Sequence, residues 1–211
     1  MNKYTDRQEA GIVLAEHLKQ YRQMQDVIVL ALPRGGVPVG YEVAKALSLP
    51  LDILIVRKLG VPNHEELAFG AIASGGAAVF NEDVVRDLTI SKNEIDQIIE
   101  REKEEIKRRE ITYRGTRSFP DLAKKTVILV DDGIATGATM RAAIKLLRSQ
   151  HVKKLVVAIP VAARDTCDDL MLEVEELICP SIQEYFYAVG AWYENFSQTS
   201  DEEVIFLLKK A

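Results

Sequence analysis

The stretch VILVDDGIATGATMRAAIKLL at residues 127–147 decides the fold. It starts as a continuous apolar run, which is typical of a strand covered on both faces. Two adjacent carboxylates, Asp131 and Asp132, follow the run, and the small residues of GIATGAT at 133–139 lead into a segment with helical spacing. A strand, a turn of small residues and a helix in this order indicate one unit of a parallel α/β sheet.

Four more segments repeat this pattern along the chain. The further predicted strands are VIVLAL at 27–32, LDILIVRKL at 51–59, KLVVAIPVA at 154–162 and EVEELICP at 173–180. The first of them runs into the turn PRGG at 33–36 and then into helical spacing over 37–48. We therefore expect an α/β fold with an open, mostly parallel sheet flanked by helices.

The domain organisation is expected to be simple, because 211 residues suit one domain. We predict a single domain over 1–211 with a core at about 24–165. The less regular chain ends, about 1–23 and 175–211, are expected to build a small hood subdomain.

Composition excludes several classes of protein. The chain is 47% hydrophobic and 28% charged, which is typical of a globular protein. No apolar run reaches the ~18 residues of a membrane span, and the polar start MNKYTDRQEA does not resemble a secretory signal. A net charge of −5 argues against a nucleic-acid partner. Two cysteines without CxxC spacing and three scattered histidines argue against a zinc or redox site. We expect a cytoplasmic protein with neither a membrane nor a nucleic-acid partner.

The loop after the 127–130 run has the properties of an anion site. In an open parallel sheet, ligands bind where the carboxyl ends of strands meet loops and helix N-termini. Backbone N–H groups at 136–139 would lie there without intrahelical acceptors, and the hydroxyls of Thr136 and Thr139 could donate as well. A tight turn is an equally good interpretation of the loop when it is taken alone.

The two acids favour a ligand over a plain turn. Carboxylates beside a phosphate site are costly unless hydroxyls or a cation satisfy them. A sugar phosphate with a vicinal diol and Mg²⁺ would supply both. The segment has neither the GxxxxGK[ST] pattern of a P-loop nor the GxGxxG pattern of a dinucleotide site.

At this point the sequence resembles a known family. VDDGIATGAT at 130–139 resembles the phosphoribosyl pyrophosphate (PRPP) signature of type I phosphoribosyltransferases. A bacterial and archaeal group within that family is similar in four further segments, namely PRGGVPVG at 33–40, VRKLG at 56–60, RGTR at 114–117 and AVGAWYENF at 188–196.

The resemblance implies a reaction and a set of residues for it. The reaction would be Mg²⁺-dependent transfer of the phosphoribosyl group from PRPP to a nitrogen acceptor, such as a nucleobase in nucleotide salvage, with release of pyrophosphate. Asp131 and Asp132 would be catalytic, bind the ribose hydroxyls and hold Mg²⁺ mostly through water and PRPP. The 5′-phosphate would lie in the loop formed by Ala135, Thr136, Gly137, Ala138 and Thr139.

The resemblance also implies a pyrophosphate site. Arg34, Gly35 and Gly36 would face the pyrophosphate, in a loop where the family often has a non-proline cis peptide bond. Arg57 and Lys58 would end the second strand of the sheet, bind the same group and stabilise the charge of the leaving group. They would lie at the base of a lid over roughly 60–75 that excludes water from the reacting centre.

The acceptor site is expected in the hood. Tyr187 begins YAVG at 187–190, which resembles the segment whose aromatic ring stacks on the base in hypoxanthine-type enzymes, and Trp192 is the second candidate. A structural aromatic core of the hood is an equally good interpretation of both. Ala135 stands where hypoxanthine-guanine enzymes carry an aspartate, which counts against a 6-oxopurine acceptor handled by that residue.

Two further alternatives follow from the same residues. A PRPP-binding regulatory protein without transferase turnover is the alternative function, although the PRGG loop and the Arg57–Lys58 pair favour catalysis. Enzymes of this family are often homodimers, and the charged helix predicted at 91–111 is a candidate interface. A solvated face of mixed charge also explains that helix.

Overall fold

The computed structural model describes residues 3–61, 64–87 and 91–211. In chain order its helices are α1 (Arg7–Glu16), α2 (Gly36–Leu47), α3 (Glu82–Asp87), α4 (Lys92–Arg114), α5 (Ala138–Arg148), α6 (Arg164–Met171) and α7 (Asp201–Lys210). The strands are β1 (Val27–Ala31), β2 (Leu51–Ile53), β3 (Val56–Val61), β4 (His64–Ala73), β5 (Ala78–Phe80), β6 (Thr126–Val130), β7 (Lys154–Ala158), β8 (Val161–Ala163), β9 (Glu176–Ile178) and β10 (Ser181–Gln183).

A five-stranded parallel sheet forms the centre of the molecule, in the order β2-β1-β6-β7-β9. Every residue of β1 and β6 is buried, because helices cover both faces of the sheet. Leu14 of α1 and Val43 of α2 belong to the apolar cluster on one face, and Ile144 and Leu147 of α5 belong to the cluster on the other. The predicted α/β fold with an open parallel sheet is confirmed.

The strand predicted at 51–59 is wrong in its extent. It divides into β2, which pairs with β1, and β3, which joins β4 and β5 in a separate antiparallel sheet. The hydrogen-bond partner changes between neighbouring residues, since Leu54 N–H donates to Ala31 O and Ile55 N–H donates to the Ser74 hydroxyl. An apolar run indicates that a strand is buried but not which strand it pairs with. The division into β2 and β3 therefore cannot be predicted from the sequence.

Two other predicted strands are shorter than expected. The run at 154–162 ends as β7 at Ala158 and resumes as β8, with Pro160 between them. Proline has no N–H to donate to a ladder, so the pairing changes there. The strand predicted at 173–180 is confined to β9, from Glu176 to Ile178.

The segment predicted as a lid corresponds to β3, β4 and the turn that follows β4. Residues 62 and 63 of that segment lie outside the described residues. Gly75 and Gly76 lie between β4 and β5. The two glycines have φ angles of 79° and 80°, a region that glycine enters without a steric penalty.

The two chain ends lie together, on the side of the molecule where β6 ends. Tyr4 N–H donates to Trp192 O at 2.9 Å, and Glu194 N–H donates to Tyr4 O at 2.8 Å. Val189 lies next to the loop after β6, since a Cβ placed on Gly133 would be 2.5 Å from its Cγ1. In the described part of the chain, no helix is both long and apolar enough to cross a bilayer.

Candidate active site

Two loops meet at the carboxyl ends of β1 and β6, which are neighbours with Ala31 opposite Val130. Leu32 N–H donates to Val130 O at 2.9 Å, which extends the pairing beyond the strands. The peptide bond between Pro33 and Arg34 is cis, as the resemblance implied. The PRGG loop and the two acids are therefore brought together, at the edge where ligands of parallel sheets bind.

The glycines of the PRGG loop are in direct contact with the acids. A Cβ built on Gly35 would lie 2.0 Å from Oδ2 of Asp132. A Cβ on Gly36 would lie 2.8 Å from the backbone oxygen of Val130 and 3.0 Å from Cα of Asp131. Only glycine fits at these distances between the PRGG loop and the acids. The two glycines therefore allow the PRGG loop to approach the loop after β6 this closely.

The two acids form an electrostatically costly pair. Burial raises the pKa of Asp131 well above its usual value, and the neighbouring charge of Asp132 raises it further. Burial also raises the pKa of Asp132, while a hydrogen bond from Arg7 opposes that shift. Asp132 N–H donates to Oδ1 of Asp131 at 2.9 Å, and the Tyr193 hydroxyl donates to the backbone oxygen of Asp132 at 2.5 Å. A cation or a diol would offset the cost of holding both carboxylates here.

The predicted phosphate loop lines a cavity of about 200 Å³, together with Lys58, Asp131 and residues 133–140. Gly137 precedes α5 with a φ angle of 73°. The loop backbone is held from two helices, because the Thr166 hydroxyl donates to Ala135 O at 2.6 Å and Arg141 Nη1 donates to Thr136 O at 2.7 Å. The first N–H groups of α5 have no acceptor within the helix, so this cavity suits an anion.

The three cations predicted for pyrophosphate have different surroundings. Lys58 lines the phosphate cavity. Arg57 Nε donates to Oε2 of Glu102 on α4 at 2.7 Å, and Arg34 Nη1 lies 3.4 Å from Oδ1 of Asp201 on α7. The prediction that Arg57 and Lys58 end a strand of the central sheet is wrong. They are successive residues within β3, and successive side chains of a strand point to opposite faces.

The two acceptor candidates also differ. Tyr187 is 91% exposed, so its ring is accessible from solvent. Trp192 stacks on Phe186 with ring centroids 6.1 Å apart and belongs to the aromatic cluster of the chain ends. Within the described residues its indole Nε1 is buried without a hydrogen-bond partner. Arg164, the first residue of α6, forms a surface ion pair with Glu184.

Sequence reasoning missed Arg7, which forms an ion pair with Asp132. Its Nε donates to Oδ2 of Asp132 at 2.8 Å. Arg7 is the first residue of α1, and nothing in its local pattern distinguishes it from a solvated arginine. The contact spans 125 residues and depends on how the chain ends pack, so no local signal could have identified it.

The paired acids fit a magnesium ion bound in part by other ligands. Magnesium prefers oxygen ligands and commonly uses one or two carboxylates together with waters and substrate phosphates. In the described residues, no group of three or more His, Cys, Asp and Glu side chains is arranged so that it could hold a metal ion by itself. Asp131 and Asp132 would therefore hold the ion mainly through water and the phosphates of a ligand.

These features define an α/β domain that carries a loop suited to an anion and paired carboxylates at the carboxyl edge of a parallel sheet. The family model of the phosphoribosyl transferase domain matches residues 1–190. The chain belongs to the phosphoribosyl transferase family, a family of transferase enzymes.

Individual relatives agree with this membership. Two Mycobacterium tuberculosis proteins, provisionally named phosphoribosyl transferases, are 44% identical over all 211 residues, and this chain spans 47% of their length. The crystal structure of TT1426 from Thermus thermophilus is 36% identical and covers 99% of this chain and 98% of its own, with a TM-score of 0.87. AQ2163 from Aquifex aeolicus shares the fold, with 12% identity, 87% and 78% coverage and a TM-score of 0.53.

Proposed function

We propose that this domain catalyses Mg²⁺-dependent transfer of the phosphoribosyl group from PRPP to a nitrogen acceptor, with release of pyrophosphate. The observation that carries the proposal is the contact of Gly35 and Gly36 with the Asp131–Asp132 pair beside the phosphate cavity. The three parts of the site match the three parts of PRPP. The PRGG loop suits the pyrophosphate, the paired acids suit the ribose diol, and the loop at 135–139 suits the 5′-phosphate.

Each part of the site has a role in this reaction. Residues 135–139 bind the 5′-phosphate through backbone N–H groups and hydroxyls, and Asp131 and Asp132 accept hydrogen bonds from the ribose hydroxyls. The acceptor nitrogen attacks C1′ while the bond from C1′ to the pyrophosphate oxygen breaks, and pyrophosphate leaves with the bonding electrons. The nitrogen passes its proton to water. The two carboxylates stabilise the positive charge that develops on the ribose.

The predicted cations and the PRGG loop would stabilise the leaving group. Lys58 already lines the cavity, and Gly35 and Gly36 allow backbone approach to the pyrophosphate. Arg34 and Arg57 reach the pyrophosphate by exchanging their carboxylate partners Asp201 and Glu102 for it. When bound, Mg²⁺ would neutralise the charge of the pyrophosphate oxygens.

The chain ends are the proposed binding site of the acceptor. The chain ends form the hood over the acceptor, with the exposed ring of Tyr187 as the stacking platform. Ala135 leaves no carboxylate for a 6-oxopurine at that position. With a nucleobase as acceptor, the reaction would serve nucleotide salvage in the cytoplasm, and α4 is the proposed surface for a homodimer.

The test is pyrophosphate release from PRPP and Mg²⁺ with a panel of nucleobases and small amines. We expect release with one acceptor and none in Thr136→Arg or in Asp131→Asn/Asp132→Asn. Thr136 lies in the surface loop that lines the phosphate cavity, so arginine blocks the cavity without disturbing the core, and thermal unfolding should stay unchanged.

Two results would count against turnover. PRPP binding by calorimetry without release for any acceptor would favour the regulatory alternative. Absence of PRPP binding by the folded wild-type protein would refute the assignment of the site itself.

A further inference from the structure

Arg7 lies where the packed chain ends meet the paired acids. Its Nε donates to Oδ2 of Asp132 at 2.8 Å, and both side chains are nearly buried, with 11% and 13% of their surface exposed. Its Nη1 donates to Ser197 O at 2.7 Å, and its guanidinium carbon lies 3.9 Å from the centre of the Phe196 ring. The guanidinium is therefore fixed by three contacts, of which two come from the C-terminal segment.

The surroundings of Asp132 explain why this cation matters. Asp131 adds a second negative charge, the Tyr193 hydroxyl binds the backbone oxygen, and Gly35 closes one side without any polar side chain. Among the residues that the structure describes, Arg7 is the cation in ion-pair contact with Asp132. Without it, a nearly buried carboxylate would face another carboxylate and would turn away to reach water.

We propose that Arg7 is a positioning residue that holds the Asp132 carboxylate in the orientation that accepts a ribose hydroxyl of PRPP. The ion pair fixes the carboxylate through Oδ2, so that Oδ1 would accept the hydroxyl, while Asp131 lines the phosphate cavity. This inference rests on the proposed function. Arg7 itself touches neither PRPP nor the acceptor, so its effect passes through Asp132.

The experiment measures the dissociation constant of PRPP with Mg²⁺ by calorimetry, which requires no knowledge of the acceptor. We expect Arg7→Gln to weaken binding at least tenfold, and Arg7→Lys to remain within about threefold of wild type because lysine keeps the charge beside Asp132. Arg148→Gln is the matched control, since Arg148 also joins a carboxylate, Glu175, to a backbone oxygen but lies far along α5 from the loop. It should bind PRPP as wild type does.

A double mutant distinguishes two roles of Arg7, namely orienting the Asp132 carboxylate and stabilising the packing of the chain ends. In the Asp132→Asn background, Arg7→Gln should change PRPP affinity less than twofold, because its partner is already neutral. A further tenfold loss in that background, or equal losses for Arg7→Lys and Arg7→Gln, would overturn the inference. So would wild-type affinity in Arg7→Gln.

The outcomes also separate this inference from the proposed function. If the wild-type protein does not bind PRPP, the proposed function has failed. If the wild-type protein binds PRPP and Arg7→Gln binds equally well, only the positioning by Arg7 has failed. If Arg7→Gln does not fold, Arg7→Lys still tests the inference, because it should keep near-normal PRPP affinity even with a lower melting temperature.

Discussion

Replacement of Gly35 by alanine tests the contact on which the site is built. The added Cβ would lie 2.0 Å from Oδ2 and 2.7 Å from Cγ of Asp132, so the carboxylate must turn away. The backbone tolerates alanine, since φ and ψ of Gly35 are −59° and −33°. The perturbation is therefore a steric one, aimed at a single side chain. Turning the carboxylate also breaks its ion pair with Arg7.

The expected loss of function is larger than the loss of stability. A hydrogen bond to a charged group contributes about 1.5–3 kcal/mol, so losing the one between Asp132 and the ribose should weaken PRPP binding about 10- to 100-fold. Crowding in a packed site costs about 1–3 kcal/mol, and the lower end applies because the displaced group can rotate. At this chain length that corresponds to a fall in melting temperature of roughly 2–4 °C.

Two neighbouring glycines provide the comparison. Alanine at Gly36 would meet backbone atoms, Val130 O at 2.8 Å and Asp131 Cα at 3.0 Å, which cannot rotate away. Gly36→Ala should therefore lower the melting temperature more than Gly35→Ala does. Gly40→Ala lies inside α2, where alanine favours the helix and its closest contact would be the Ala31 methyl at 3.0 Å. It should bind PRPP as wild type does.

The assays are calorimetry of PRPP with Mg²⁺ and thermal unfolding of the same samples. The reasoning would be refuted by a Gly35→Ala protein that keeps wild-type PRPP affinity. It would also be refuted if Gly35→Ala and Gly36→Ala lost stability and affinity in the same proportion, because that would show a general disturbance of the loop.

Three further predictions concern α4. Glu102→Gln should tighten binding of Mg²⁺-pyrophosphate about threefold in calorimetry, because Arg57 loses its carboxylate partner; weaker binding would contradict the proposed exchange. Hydrogen bonds from two arginines lower the pKa of Glu105 from 4.5 to about 2, so its contribution to stability is present above pH 4.5 and lost as pH falls through about 2. Glu105→Gln should lower the melting temperature by roughly 1–2 °C at pH 7, given about 0.3–0.5 kcal/mol for such a pair, and by progressively less as the pH falls through about 2. Arg114 is 1% exposed and paired with Asp52, so Arg114→Ala should cost about 3–5 kcal/mol in urea unfolding, and a loss below 1 kcal/mol would show that the pair is not a structural support.

The sequence was sufficient for the central sheet because burial on both faces leaves continuous apolar runs. The runs at 27–32 and 127–130 correspond to β1 and β6 nearly residue by residue. The run at 51–59 did not reveal its division, because both halves are buried and only the hydrogen-bond partner changes. Burial of a strand can be predicted from its own residues, whereas its pairing partner depends on distant parts of the chain.

The same distinction explains which site residues could be predicted. Asp131, Asp132 and the loop 135–139 are contiguous, so one strand and one helix are enough to bring them together. Arg57 and Lys58 are contiguous as well, but they lie within β3, which pairs with β4 rather than with the central sheet. Arg7 needed the packing of both chain ends against the loop, which no local pattern encodes.

The pairing of cations and acids around the site shows why Arg7 differs from the other arginines. Arg34, Arg57 and Arg7 are held by Asp201, Glu102 and Asp132 respectively. In the proposed reaction, an incoming pyrophosphate would compete with the first two acids, because it offers the same arginines a denser negative charge. Asp132 is itself a proposed contact of the ribose, so no part of PRPP gains by displacing it from Arg7. The Arg7–Asp132 pair should therefore persist in the complex, while the other two pairs exchange.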